Sequence, residues 1–359
     1  MSIKNVLRSR FVVPALVIAV VSPSVVAQTL YVDSRHGDDR NAGAKESPLR
    51  TIGQAARRVK TRAEGGQSII KMAPGIYNLT DPVVFESRLA YRQEDRLRIE
   101  ASILPDDPRW SPALMPIIFS TEDPRKPEEL DALTQTYGLR IKTSHVTIRG
   151  LRFLGNPLPH NWYCPVERIG EGLEDLVVTQ CLFVGDQDTL NVYCPVIATG
   201  DGLVVDHCIF YKCQASAVFW DGPEGIAGHD CAMRYCIVYG GHISGVWTCQ
   251  TGDDFEFHHN IVTRCQYFWM RESGKPIKYR LHDCIVTNNK YYSGYGVESG
   301  PTGQTGPEIL YDEQNVIKEG QVILESSKTA RNYLHVVPGA LGSDLGAGLF
   351  KKRARVPGS

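Results

Sequence analysis

No stretch beyond residue 27 is apolar for the width of a bilayer, no two cysteines form a C-x-x-C pair, and neither sign of charge dominates. Each absence closes a class. A spanning helix needs roughly 20 apolar residues in a row, so nothing after residue 27 reads as one. Zinc fingers and ribbons need closely paired cysteines, so the ten present here do not read as zinc ligands. Lys and Arg number 39 against 40 Asp and Glu, which leaves no general basic footprint for nucleic acid. A polyanionic ligand would have to find a local basic cluster. The fixed leucine offsets of a leucine-rich repeat are missing, and so is the strict helical period of ankyrin or tetratricopeptide arrays. What remains is 42% hydrophobic and 22% charged, with enough length for a large core.

The longest apolar run lies at the start. Lys4, Arg8 and Arg10 precede an apolar stretch from Phe11 to Val21, and Val25-Val26-Ala27 offers a small-residue cleavage site before Gln28. Residues 1–27 therefore have the layout of a secretory signal, and Pro14 and Pro23 argue against an anchored helix. The expected mature chain is exported, secreted or periplasmic, with no membrane span. Losing those three cations would take its formal charge from −1 to −4.

What the chain has in abundance is repetition. VTIRGLRF, LVVTQCLF, LVVDHCIF, CAMRYCIV, FEFHHNIV, YRLHDCIV and LYDEQNVI align on Leu151, Cys181, Cys208, Cys236, Asn260, Cys284 and Asn315. These anchors stand 24 to 31 residues apart. Apolar residues recur five and three positions before the anchors and two after them, with Asp312 before Asn315 the exception. Spacing two means strands with one buried face, and a period in the twenties means stacked units. The fold that satisfies both is an all-β, right-handed parallel β-helix, one solenoid domain over residues 28–350. The anchor cysteines fall in one vertical column, and Cys164 and Cys194 share another. Stacked neighbours have parallel Cβ vectors, so mostly free, buried thiols are expected, with Cys181–Cys208 and Cys208–Cys236 as the candidate bridges.

Before the repeats, Thr51 and Gln54 stand at capping-box spacing, and Ile52, Ala55, Ala56 and Val59 share one helical face. A short helix over 51–62 should cover the open first coil, since an exposed sheet end invites aggregation. Residues 101–136, rich in proline, read as a long excursion from the coils, and 351–359 as a solvated basic tail. YVDSRHGDDRNAGAKESPLRTIGQAARR followed by IIKMAPGIYNL resembles the N-terminal segment of secreted β-helix proteins of the pectate-lyase-like superfamily. The C-terminal SDLGAGLF is similar to how many of them end. The resemblance implies the architecture and an exported, carbohydrate-related role. It implies no single activity, because that superfamily holds lyases, hydrolases, esterases and epimerases.

Chemistry is expected on the strand that follows each anchored one. Aligning Trp162-Tyr163-Cys164, Val192-Tyr193-Cys194, Phe219-Trp220-Asp221, Trp247-Thr248-Cys249 and Trp269-Met270-Arg271 stacks an aromatic in five consecutive coils. Tyr163, Tyr193, Trp247 and Trp269 would form a sugar-binding stripe, joined by His242 and Glu298. Asp186, Asp188 and Asp221 are the candidate carboxylates. Columns one or two coils apart, about 5 or 10 Å, bracket the separations of retaining and inverting hydrolases. A lyase would instead use Arg271 or Lys275 as base or neutralising cation. Glu224 and Glu272, with Asp221, would then be oxygen ligands, and calcium is the cofactor such ligands would take. Each acid beside a glycine also reads as ordinary turn chemistry. His258-His259 is not expected to form a metal pair, because adjacent strand residues point to opposite faces. The rival readings are a polysaccharide-cleaving enzyme, a non-catalytic carbohydrate-binding β-helix and a purely structural exported protein.

Overall fold

The computed structural model describes residues 27–63, 65–126, 133–186, 188–220, 228–249, 251–252, 254–271, 278–297, 300–301 and 310–351. Most coils make three short strands, which pair in parallel with their counterparts one coil on, and toward the end the first two merge into Lys278–Thr287. The first sheet begins with Gln28–Val32, Ser68–Met72 and Leu97–Ala101 and runs through Val146–Arg149, Leu176–Thr179 and Leu203–Asp206 to Lys278–Thr287 and Leu310–Ile317. The second includes Ile76–Leu79, Ile117–Ser120, Arg152–Leu154, Leu182–Val184, Ile209–Tyr211, Ile237–Tyr239 and Ile261–Thr263. The third runs from Val83–Phe85 through Asn161–Arg168, Ser244–Thr248 and Tyr267–Arg271 to Tyr291–Val297. The chain is a parallel β-helix.

The repeated apolar positions are its core. Val146, Leu176 and Leu203 pair in register and are buried, as are Phe153, Phe183 and Phe210. Phe183 stacks on Phe153 at 4.8 Å and on Phe210 at 5.0 Å, close to one strand spacing. The last coil departs from the sequence alignment by one residue. Leu281 pairs with Glu313 and Cys284 with Val316, so Asn315 is not the last anchor. Asn315 instead takes the left-handed bend position one residue earlier, with φ of 53°.

All ten cysteines are free and buried, so neither candidate bridge forms. The anchor thiols turn back on their own strand: Sγ of Cys181, Cys208, Cys236 and Cys284 donates to the carbonyl two residues earlier at 3.3–3.4 Å. Asn260 does the same work with more bonds. Its Nδ2 donates to the Met233 carbonyl at 2.7 Å, and its Oδ1 accepts from the Cys236 amide at 2.9 Å.

The helix Ile52–Thr61 forms as its pattern requires. Thr51 Oγ1 accepts from the Gln54 amide, and Ile52, Ala55, Ala56 and Val59 are buried against Val83–Phe85 and Gln28–Val32, the first strands of two sheets. One segment corrects the sequence reading. Residues 101–136 contain Ile117–Ser120, a regular second-sheet strand that pairs with Ile76–Leu79, so this stretch is an interrupted coil. The stretch after Lys318 leaves the coils. It is a strap across the outside of the second sheet, where Val322, Tyr333, Leu334 and Leu349 cover Leu182, Ile209, Ile237, Ile261 and Ile285. Arg331 ties the strap to the carbonyls of Pro105, Asp107, Pro108 and Trp110. Lys351, expected in a solvated tail, donates to Asp206 at 2.6 Å. Among the described residues, no helix is long and apolar enough to cross a membrane.

Candidate functional site

A strand cannot turn a corner without leaving the extended region, and this chain does so with residues at positive φ. At the first bend, between first and second sheets, the column reads Gln180, His207, Tyr235, His259, Asp283 and Asn315, with φ between 51° and 55°. At the second bend, between second and third sheets, it reads Lys212, Gly240, Arg264 and Asn288, with φ between 53° and 73°. The left-handed step interrupts strand alternation. Lys212, Arg264 and Asn288 are exposed.

The second bend forms an open trough. One part, about 520 Å³, is lined by Asp186, Thr189, Tyr211, Lys212, Tyr239 and Arg264, with Gln321 to Ser326 of the strap as its opposite wall. The next, about 990 Å³, is lined by His242, Arg264, Gln266, Asn288, Lys290 and Gln321. Arg264 and Gln321 belong to both, so the two parts join. The trough floor carries rings as well as cations. Tyr211 and Tyr239 stack at 5.5 Å, Lys212 lies 5.6 Å over Tyr211, and Arg264 lies 5.5 Å over Tyr239. Beside the second part, outside its lining, the exposed Tyr291 stacks at 5.0 Å on the buried Tyr267, and Lys290, which does line it, lies 5.0 Å over Tyr291. Cation–ring contact holds these long side chains over the trough and leaves their charge exposed.

Three of the expected residues meet here. Asp186 caps its own turn: Oδ1 accepts from the amides of Asp188 and Thr189 and from the Thr189 hydroxyl at 3.0–3.1 Å. Those donors, the Asp188 amide first, hold its carboxyl below the usual range, so it is a fixed anion rather than an acid. Asp188 is exposed beside it. His242 lines the trough, its pKa lowered by burial first and by Lys212 second, while Asp186 and Asp188 oppose that shift.

The aromatic stripe does not exist as expected. Val218 pairs with Trp247 and Trp247 with Met270, so Trp247 and Trp269 are out of register by one residue and face opposite sides. Trp269 is fully buried, its Nε1 donating to Thr248 Oγ1 at 2.8 Å, and packs on Phe257 and Tyr279. Tyr163 is fully buried in the same core. Trp247 lies in a second apolar cluster with Cys164, Cys194, Val218 and Met270 and is only 4% exposed. Arg271 is buried as well, which removes it as a surface base. Tyr193 alone of the four rings is partly open, stacked at 5.0 Å on the exposed Trp162. Asp221, Glu224, Glu272, Lys275 and Glu298 lie outside the described residues. Sequence reasoning missed Lys212, Arg264 and Lys290, because a lone cation between a strand and a turn looks like ordinary surface. Lys212 and Arg264 did carry a signal, since with Asn288 they return four residues after the anchors Cys208, Asn260 and Cys284, whereas Lys290 stands six after Cys284.

No protein-family model matches this chain, and no curated protein matches its sequence. Solved structures with a similar backbone include a rhamnogalacturonan lyase, with TM-score 0.47 and 10% identity over 75% of this chain and 70% of that one. A GH136 lacto-N-biosidase from Eubacterium ramulus gives 0.46 and 11% over 81% and 68%. A pectin methylesterase from Aspergillus niger gives 0.37 and 13% over 90% and 95%. Similarity at this level carries no activity across, so the trough has to be read from its own residues.

Proposed function

We propose that this chain is an exported carbohydrate-engaging β-helix whose ligand is an acidic polysaccharide laid along the second-bend trough. The observation that carries this reading is the set of cations Lys212, Arg264 and Lys290, mounted on tyrosine faces along one open groove. The rest of the chain is nearly balanced in charge, so the cluster is local. Successive coils space such groups by about 5 to 10 Å, a separation suited to carboxylates repeating along a polymer. Guanidinium and ammonium groups bind those carboxylates, and the half-buried tyrosines beneath them hold the cations in place. In this reading residues 1–27 direct export, and the helix Ile52–Thr61 closes the first coil.

Eliminative cleavage is the second reading, favoured by Asp186, Asp188 and His242 standing beside Lys212. A cation would neutralise the uronate carboxylate while a base takes the proton alpha to it. The bond from the β-carbon to the glycosidic oxygen then breaks, and that oxygen leaves with a proton from solvent. Hydrolysis is less well served, because its acid must be protonated and Asp186 is held ionised.

Affinity electrophoresis of the mature chain in gels containing polygalacturonate or a neutral glucan tests the binding claim. Retardation by the acidic polymer alone is expected, weakening with salt and falling at least tenfold in Lys212→Ala/Arg264→Ala. Equal retardation by the neutral glucan, or an unaffected double variant, would overturn it. New ultraviolet absorbance from unsaturated uronate supports elimination, and reducing ends without that absorbance support hydrolysis.

A further inference from the structure

The first bend brings together a second set of groups that the polysaccharide reading does not use. His258 pairs with His282 across adjacent first-sheet strands, and their rings stack at 4.7 Å. The residues that follow them, His259 and Asp283, are the bend residues at φ of 53° and 54°. In a continuous strand His259 would point away from His258. The left-handed step swings it back, so that the two Nδ1 atoms lie 3.0 Å apart. The result is a two-by-two array of three imidazoles and one carboxylate on the outer edge, two residues from each of two coils.

Within this array His259, His282 and Asp283 each offer a donor atom, and these atoms lie within 4.8 Å of one another. All three residues are partly open to solvent. His259 Nδ1 faces His258, which leaves its Nε2 to serve as a donor, and His282 Nδ1 meets Asp283 Oδ2 at 2.9 Å, so an ion would enter between that nitrogen and that oxygen in place of the proton they share. Asn315 donates to Asp283 Oδ1 at 3.0 Å and orients the carboxylate from the next coil. His259 and Asp283 also line a groove of about 490 Å³ whose far wall is Asp344 to Gly346 of the strap.

We propose that His259, His282 and Asp283 form a site for a divalent transition-metal ion of the zinc class. Two imidazoles and a carboxylate select against calcium and magnesium, which take oxygen ligands. Tetrahedral ligands at about 2.0–2.2 Å from zinc stand roughly 3.3 Å apart, so closure requires movements of about an ångström. Side chains at an open edge can make that adjustment by rotation. The ion would pin two successive coils at the edge where the strap docks, and water would complete its coordination.

The test uses the purified mature chain, stripped with chelator and titrated with zinc in competition with a chromophoric chelator. One equivalent should bind, an excess of calcium should not displace it, and the thermal midpoint should rise on loading. His282→Asn and Asp283→Asn should each weaken zinc binding at least tenfold. His36→Ala, which removes the exposed His36–Asp33 pair elsewhere, should bind as the parent does. The buried thiols leave the folded chain no competing sulfur site. Absence of stoichiometric binding, displacement by calcium, or unchanged affinity in both site variants would overturn the proposal. Circular dichroism of the variants without metal confirms that any loss reflects the site and not the fold.

Discussion

The two bends are built from the same backbone step, yet one edge is fastened and the other is open. At the first bend the left-handed column includes His207, Tyr235 and His259, whose rings pack in succession, followed by Asp283, and all four line the groove against the strap. Gly348 donates to the Tyr235 carbonyl and Lys351 to Asp206. At the second bend the column is Lys212, Gly240, Arg264 and Asn288, and its cations face a trough. Identical geometry with different side chains therefore yields a seam on one side and a binding surface on the other. Backbone conformation fixes where a side chain can point, and charge and ring character decide what it meets.

The difference is sharpest inside the bends, where each edge uses one asparagine. Asn260 is fully buried and joins the Met233 carbonyl to the Cys236 amide. Asn289 plays the matching part at the second bend, joining the Val262 carbonyl to the Cys265 amide, but is half-buried. Removing a buried partner leaves each group unsatisfied at about 1–3 kcal/mol, with a cavity added. Asn260→Ala should therefore cost about 3–5 kcal/mol in urea unfolding, and Asn289→Ala about half as much. Asn260→Cys should recover part of the loss, since the sequence uses cysteine in that column elsewhere. Equal costs at the two bends would mean that solvent reaches both.

The strap supplies the next test. His335 is buried, its Nε2 accepting from the Leu349 amide at 2.9 Å while Phe350 stacks on its ring at 4.4 Å. Burial lowers its pKa to about 4. The unfolded chain protonates near 6.5, so it takes up the proton first as pH falls. Stability from this group is complete above about pH 6.5, declines between about 6.5 and 4, and is flat below. At 1.36 kcal/mol per unit the loss is at most about 3 kcal/mol. His335→Gln, which cannot titrate, should show a shallower decline of thermal midpoint over that window. Parallel profiles for parent and variant would remove His335 as the acid-labile fastening of the first edge.

How much of this was legible follows from which signals repeat. The inner positions, Leu176 and Val178 with Phe183 among them, recur from coil to coil until the last, where Glu313 takes the Val178 place, and they gave the solenoid directly. The strap was also written in the sequence, though less plainly. Leu182-Phe183, Ile209-Phe210 and Ile261-Val262 are apolar at consecutive positions, which marks a strand buried on both faces. The aromatic stripe went astray because a shift of one residue sends a side chain to the other face, and Trp247 and Trp269 differ by that one step. The histidine array was hidden for a related reason. Alternation separates His258 from His259 only while the strand continues, and their sequence gives no sign that it stops between them.

The smallest expected effect compares one residue type on the two edges. Asp206 is largely buried, and burial alone would raise its pKa, but hydrogen bonds from His207 and Lys351 override this and hold it well below the usual carboxylate range. Lys351 is thus the cation of a partly desolvated pair, its own side chain 35% exposed. Lys212 is exposed, with a ring beneath it. Exposed pairs contribute little, whereas truncating one partner of a half-buried pair leaves a charge in a poor environment. Lys351→Ala should lower stability by about 1 kcal/mol, and Lys212→Ala should stay within about 0.5 kcal/mol of the parent. In polysaccharide gels the ranking should invert, with Lys212→Ala losing retardation and Lys351→Ala retaining it. A shared phenotype in both assays would mean that the edges are coupled, with the strap carrying strain from seam to trough. Opposite phenotypes would make fastening and binding separable properties of two columns that share one backbone geometry.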